Sequence, residues 1–296
     1  MNKQKRHKKI LTHLIKCVIK KYWCKYLKHD VFTKNREQKM FNFKKNKYEI
    51  TNLERPSGSR WVTMQNALIR AGHGLTLSEK RLVMMAVSKI DSAKYHRSND
   101  IPTTRITATE YAELADCDMS TAYIALQSAS KKLYQRSITF YEPAYNRKGK
   151  ALSSTEIKMR WVGQVHYQKD EGWVELYWWP KLVPYLTNIK KQFTSYHLKQ
   201  VSALRSIYSW RLLELLTRFQ TSGTAKYTIE DFCTSMDCTE KQRQNFNNIK
   251  RRIIEPAVTE LTQKDGWKIE WTPIKTGRKV TTIEFKFEKD PQGKLF

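Results

Sequence analysis

The feature that most constrains the fold is an internal repeat, because two parts of the chain carry the same ordered pattern of residues. The pairs that align at an offset of 121 are Thr107 with Thr228, Glu110 with Asp231, Tyr111 with Phe232, Asp116 with Asp237 and Cys117 with Cys238. With one residue dropped in the turn, the pairs continue as Leu126 with Phe246, Ala129 with Ile249, Leu133 with Ile253 and Lys131-Lys132 with Arg251-Arg252. Such an ordered run indicates duplication of one structural unit.

Each copy is predicted to contain a helix, a short helix, a turn, a longer helix and a β-hairpin. Capping signals at Thr76–Glu79 and Thr107–Glu110 mark helix starts. The longer helices are predicted over Ser120–Gln135, Tyr196–Gln220 and Glu240–Gln263. Alternating apolar and polar residues predict strands over Ser137–Tyr141, Glu156–Tyr167, Gly172–Trp179, Trp267–Ile274 and Val280–Phe287. The order is that of a helix-turn-helix with a wing, so we predict an α+β fold of two tandem winged-helix domains in pseudo-symmetry.

The length and composition agree with two domains that each have a core. A chain of 296 residues, of which 40% are hydrophobic, is long enough for about two domains. We predict a basic N-terminal extension over residues 1–50, a first winged-helix domain over 51–187 and a second over 188–296.

The net charge of +27 predicts a polyanionic partner, either nucleic acid or an anionic membrane face. The extension alone holds 16 basic and three acidic side chains. It has apolar residues at helical spacing within 10–26, which allows a basic amphipathic helix; a loosely ordered arm is favoured, and Met40 could begin a shorter product. Four lysines interrupt Ile10–Leu27, so this stretch is not expected to span a bilayer. An odd set of five cysteines, without a Cys-x-x-Cys pair, favours a cytoplasmic protein with no metal site.

The helix predicted over Glu240–Gln263 carries the candidate DNA-reading face. On an ideal helix, Phe246, Ile249, Ile253 and Ala257 form a buried stripe. The opposite face then presents Lys241, Gln244, Asn248, Arg251 and Arg252. Arginine pairs with guanine edges and side-chain amides pair with adenine, whereas either cation contacts phosphate. Because Pro256 is expected to kink or end the helix, the base contacts are expected before it. The alternative is an ordinary solvated face.

Further cations are predicted to contact DNA beside this helix. Lys275, Arg278 and Lys279 surround Gly277 in a predicted tight hairpin, the wing. In the first repeat, Lys131, Lys132 and Arg136 are the analogous helix cations. We assign Arg251 and Asn248 to base edges, and Arg252 and Lys279 to phosphates.

Four stretches resemble the plasmid replication initiators of the RepA/RepE type. They are Ala67–Ile90, Phe193–Phe219, Phe246–Leu261 and Ile274–Phe287, and the resemblance covers about Trp61–Phe287. The most specific parts are the Tyr208-x-x-Arg211-Leu212-x-Glu214-Leu215-Leu216 run and the Lys-x-Gly-Arg hairpin. Residues 1–50 lie outside the resemblance.

The resemblance implies two winged-helix domains and a role in replication. Such initiators bind directly repeated iterons as monomers, help to open the origin and recruit the host initiator and the replicative helicase. As dimers they repress their own promoter and so take part in copy control. The first domain mainly dimerises and makes auxiliary DNA contacts, while the second is the main DNA-binding domain. Trp161, Trp173, Trp178 and Trp179 fit either such a dimer contact or a domain core.

Three other classes of function are alternatives to a replication initiator: an enzyme, a transcriptional repressor and a membrane-associated protein. An enzyme is disfavoured, because the chain has no Walker-type phosphate loop and no His-x-His pair, and no cofactor is expected. A winged-helix transcriptional repressor without an initiator role is the main alternative, and would have a lone operator instead of several direct repeats. A membrane-associated protein acting through residues 10–27 is the third class, although no stable membrane association is expected.

Overall fold

The computed structural model of this chain describes residues 55, 57–90, 101–142, 144–169, 171–187 and 192–289. The predicted basic extension, with its amphipathic stretch, lies outside the described residues. The helices are α1 (Asn66–Arg70), α2 (Leu77–Ser88), α3 (Ala108–Ala115), α4 (Met119–Leu133), α5 (Val183–Thr187), α6 (Lys199–Ser202), α7 (Ile207–Thr217), α8 (Ile229–Ser235), α9 (Glu240–Arg243), α10 (Phe246–Ile249) and α11 (Glu255–Asp265). A 3-10 turn spans Ser57–Ser59, and a π-helical turn, Lys250–Ile254, joins α10 to α11.

Within the described residues, ten strands form four small antiparallel sheets. The strands are β1 (Trp61–Gln65), β2 (Thr103–Thr107), β3 (Ser137–Glu142), β4 (Thr155–Arg160), β5 (Val162–Gln168), β6 (Trp173–Trp178), β7 (Phe193–His197), β8 (Thr224–Thr228), β9 (Trp267–Thr276) and β10 (Lys279–Lys289). Two three-stranded sheets have the orders β2-β6-β5 and β8-β10-β9. The other two sheets are the pairs β1-β7 and β3-β4.

The predicted repeat is confirmed in the backbone. Strands β2 and β8 start 121 residues apart, and each leads into a short helix whose N-cap threonine, Thr107 or Thr228, accepts a hydrogen bond from the backbone N–H three residues on. Asp116 and Asp237, also paired in the alignment, follow these helices with φ angles of 50° and 52°. Asp tolerates this left-handed conformation better than most residues. Two winged-helix units in pseudo-symmetry are therefore present.

Three of the predicted elements are wrong in detail. Tyr196–Gln220 was expected as one helix, but its first residues form β7, where Tyr196 is buried, and α7 starts only after the N-cap Ser206. Glu156–Tyr167 divides at the buried Trp161 into β4 and β5, which belong to different sheets. Glu240–Gln263 is also not a single helix, as described below.

The strand pair β1-β7 crosses the predicted boundary between residues 187 and 188. Val62 and Met64 of β1 and Tyr196 of β7 are all buried, and Trp61 aligns with His197 in the ladder. The main chain on both sides of the predicted boundary therefore contributes to one packed layer. The two domain ranges stay predictions.

Buried polar contacts connect the two repeats. The Arg211 guanidinium on α7 donates to the Ala71 carbonyl at 2.8 Å and also contacts the Ser235 carbonyl and the His73 ring. The Asp237 carboxylate accepts from the His73 backbone N–H at 2.8 Å. Burial, followed by the nearby Arg211 charge, holds the pKa of His73 well below its usual value. The cluster thus joins the segment after α1 to the helix-turn-helix of the second repeat.

A buried ion pair between α2 and α7 lies beside this cluster. Lys80 Nζ lies 2.8 Å from Glu214 Oε2, and both side chains are almost completely buried. The Tyr196 hydroxyl donates to the second carboxylate oxygen at 2.7 Å. Since each charge is bonded, removing only one partner would leave the other unpaired in the core.

Candidate nucleic-acid interface

The second helix of the second repeat is broken into three α-helical pieces. Asn245 lies between α9 and α10 with extended backbone angles (φ −143°, ψ 124°), and its side chain accepts a hydrogen bond from Asn247 N–H. Asparagine stabilises such an N-cap because its side-chain oxygen replaces a missing helical acceptor. The prediction of one continuous helix with one polar face is therefore wrong at this point.

The residues predicted to read DNA are nevertheless brought to the surface. Ile249, Ile253 and Ala257 are buried as expected, and Phe246 is half-buried. Four of the predicted side chains are exposed: Lys241, Gln244, Arg251 and Arg252. Asn248 differs, because it is half-buried and its amide donates to the Lys241 carbonyl at 3.2 Å across the break. Its donor thus has a structural partner in the free protein.

Pro256 does not end the helix. It lies in the first turn of α11, and the π-helical turn immediately precedes it. Proline is compatible with a helix start, where its missing N–H has no intrahelical acceptor, and the π turn absorbs the change in hydrogen bonding. Arg251 and Arg252 both lie on this π turn, so their directions differ from those on an ideal α-helix.

The predicted wing is confirmed as the hairpin of β9 and β10. The two strands meet through Gly277-Arg278, with Gly277 at a φ of 62°, a value that a two-residue turn needs and glycine adopts freely. Lys275, Arg278 and Lys279 are all exposed at its tip. Within the described part of the chain these three cations have no ion-pair partner, and neither have Lys241, Arg251 and Arg252.

The first repeat exposes fewer of the predicted cations than the second repeat does. Lys131 and Lys132 are exposed in the last turn of α4. Arg136 has a different position from the one expected, because its guanidinium makes two hydrogen bonds to the buried Glu79 carboxylate, at 2.9 and 3.1 Å. That carboxylate also accepts from the N-cap Thr76 N–H of α2. We therefore assign Arg136 to holding α2 against the end of α4.

The four tryptophans of the first repeat divide between core and surface. Trp161 and Trp178 are buried, whereas Trp173 is half-buried beneath the Arg105 guanidinium and Trp179 is 37% exposed. The core interpretation is therefore confirmed for Trp161 and Trp178, and the dimer contact stays a prediction.

Two kinds of feature are absent from the described residues. No cluster of three or more His, Cys, Asp or Glu side chains there could hold a metal ion. No helix among them is long and apolar enough to cross a membrane.

The tandem helix-turn-helix units with an exposed basic helix and wing define a two-domain winged-helix DNA-binding protein. Family models described as "Initiator Replication protein, WH1" and "Initiator Rep protein, WH2" match residues 61–217 and 228–287. The chain belongs to this family of replication initiators.

Relatives and solved structures agree with this assignment. A replication initiation protein of Escherichia coli is 25% identical over 238 residues, covering 79% of this chain and 71% of the relative. The PI protein of Escherichia coli is 25% identical over 244 residues, covering 73% and 78%. The crystal structure of a Pi initiator protein in complex with iteron DNA superposes with a TM-score of 0.62 at 22% identity, covering 79% of this chain and 99% of that one.

Proposed function

We propose that this replication initiator binds directly repeated iteron DNA at a plasmid origin as a monomer and helps to open it. The observation that carries the proposal is the set of exposed cations on the broken helix and on the wing of the second repeat. Uncompensated cations on a groove-sized helix and hairpin suit a phosphate backbone. The family and the likeness to a protein solved with iteron DNA support it.

Within this function the two repeats differ in their contributions. The second domain, 188–296, makes the main contacts through Lys241, Gln244, Arg251 and Arg252, with Lys275, Arg278 and Lys279 on the wing. The first domain, 51–187, adds Lys131 and Lys132. The Asn248 amide donates to the Lys241 carbonyl, so we assign Asn248 mainly to stabilising the break. It contacts a base only if this hydrogen bond is released.

The proposal also includes protein partners. A dimer formed through the first domain would repress the chain's own promoter, and the exposed Trp179 together with the edge strand β5 supports a contact there. The DNA-bound monomer would recruit the host initiator and the replicative helicase. We expect it to act in the cytoplasm as a binding protein and not as an enzyme.

Footprinting of the purified full chain on the flanks of its own gene tests the proposal. We expect protection of several direct repeats of about 20 base pairs, the length of two groove-reading helices one to two turns apart. Protection of one lone operator would favour a transcriptional repressor. Protection of none, with flotation on anionic liposomes, would favour the membrane class.

A further inference from the structure

The second helix of the first helix-turn-helix presents an apolar residue where the second repeat presents an amide. Ile124 is 67% exposed in the middle of α4. Counted from the N-caps Asp118 and Thr239, Ile124 takes the position of Asn245, and counted back from Leu126 and Phe246 it takes that of Gln244; both are exposed amides. Beyond that point Ser128 and Lys131 take the positions of Asn248 and Arg251. The two repeats thus offer different chemistry to whatever they contact.

Ile124 lies at the centre of the exposed face of α4. At 100° per residue it lies opposite the buried stripe of Ala122, Leu126, Ala129 and Leu133. Lys131 comes two turns later, within about 20° of the same direction. A large exposed aliphatic residue in this position gains nothing for the folded monomer, since it has almost no core contact.

The polar side chains beside Ile124 are small, half-buried or already bonded within the protein. The Thr121 hydroxyl donates to the N-cap Asp118 carboxylate at 2.6 Å, so its donor is used within the protein. Gln127 and Ser128 are half-buried, and the exposed part of α4 contains no arginine or asparagine. The face therefore has one large apolar group, Ile124, near its middle and the cations Lys131 and Lys132 at its end.

We propose that Ile124 reads the C5 methyl groups of thymines in the major groove of the DNA repeat. Thymine alone among the four bases presents a methyl group in that groove, and aliphatic side chains recognise it by apolar contact. Lys131 and Lys132 then hold the backbone phosphates beside it. The first repeat contributes specificity for thymine, while the amides and arginines of the second read other bases. This inference rests on the proposed function and specifies the DNA half bound by the first repeat.

Replacement of thymine by uracil isolates the contact, because uracil lacks only the C5 methyl. The duplex protected in the footprint is prepared with thymine throughout and with uracil throughout, and each is titrated with the full chain. We expect wild type to bind the thymine form at least about fourfold more tightly, the factor for one buried methyl. In Ile124→Ala this thymine-to-uracil ratio should fall by about that factor.

Two further variants serve as matched controls. Ile124→Val keeps a branched aliphatic side chain and should keep most of the ratio. Lys131→Ala should weaken both duplexes equally and lower the salt slope by about one, leaving the ratio unchanged. Because both side chains are exposed, we expect all variants to melt as wild type does.

The outcomes separate this inference from the proposed function. The thymine contact alone is overturned if wild type and Ile124→Ala show the same ratio of affinities for the thymine and uracil duplexes while both still prefer the footprinted duplex to a scrambled one. If wild type does not prefer the footprinted duplex to a scrambled one, the proposed function is refuted instead. A change in sedimentation of the full chain on Ile124→Ala would place Ile124 between copies of the protein and also overturn the inference.

Discussion

Two exposed cations of the second repeat, Arg251 and Lys279, should contribute to DNA binding in different ways. Arg251 lies on the π turn between α10 and α11, whereas Lys279 lies at the wing tip. We expect Arg251→Ala to cost about 1–3 kcal/mol of binding on the cognate repeat and little on random DNA. We expect Lys279→Ala to weaken both and to lower the salt slope by about one. Titrations at several salt concentrations measure this, and the reverse pattern would exchange the two assignments.

The buried Lys80–Glu214 pair should dominate the effect of single substitutions on stability. Glu214→Gln leaves the Lys80 charge unpaired, so we expect a loss of about 3–5 kcal/mol in the free energy of unfolding, measured with urea. The double variant Lys80→Met, Glu214→Leu removes both charges and should lie much closer to wild type.

The pH dependence of the stability of Glu214→Gln provides a second check. Burial lowers the pKa of Lys80 to about 8, although the nearby Glu214 opposes the shift. The folded protein therefore releases this proton before the unfolded chain does, and the Lys80 contribution to stability rises with pH above about 8. In Glu214→Gln the carboxylate that raises the pKa of Lys80 is gone, so Lys80 releases its proton at a lower pH, and the loss of stability relative to wild type should be smaller near pH 9 than near pH 6.5. An equal deficit at both values would show that the lost stability does not come from the unpaired charge.

At the scale of elements, the break at Asn245 is the feature with the clearest consequence for DNA reading. Asn245→Ala removes the cap and favours a continuous helix, which would rotate Lys241 and Gln244 relative to Arg251. We expect loss of discrimination between cognate and scrambled DNA with little change in stability. Asn245→Ser keeps a capping oxygen and should keep the discrimination. If both variants lost it equally, Asn245 would be a base contact and not a cap.

The helices with capping signals and the wing of the second repeat could be predicted because their determinants are local. Thr76, Thr107 and Thr228 cap helices through hydrogen bonds to residues three positions away, and Gly277 supplies a turn conformation. Strands β1, β2 and β8 were missed, since each has five residues and is stabilised by a partner strand far along the chain.

The candidate site was predictable only in part for the same reason. The helical spacing identified the exposed Arg251 and Arg252, but the long-range Glu79 partner of Arg136 leaves no pattern in the sequence. The break was hidden because Phe246, Ile249 and Ile253 keep helical spacing on its far side. Ile124 could have been found by extending the repeat alignment to Gln244, since the departure from a polar residue there is visible in the sequence.

At the scale of the whole molecule, the basic extension should add affinity without specificity. It carries a net charge of +13 and lies outside both family models. Deleting residues 1–39 should leave the preference for the cognate repeat unchanged and reduce non-specific affinity and its salt slope. Competition titrations with random DNA measure both quantities. Loss of discrimination by a truncated chain that still melts cooperatively would contradict this expectation.

The Arg211 cluster has a consequence for the geometry of the DNA itself. One guanidinium contacts the carbonyls of Ala71, before α2, and Ser235, at the end of α8, so we expect the two helix-turn-helix units to keep a fixed spacing on a duplex. The protein should therefore bind only sites whose two halves have one spacing and lie on one face of the duplex. Inserting five base pairs into the middle of a repeat turns its halves to opposite faces, and inserting ten restores the face but adds about 34 Å of axial distance. We expect the protein to bind both altered sites more weakly than the natural repeat.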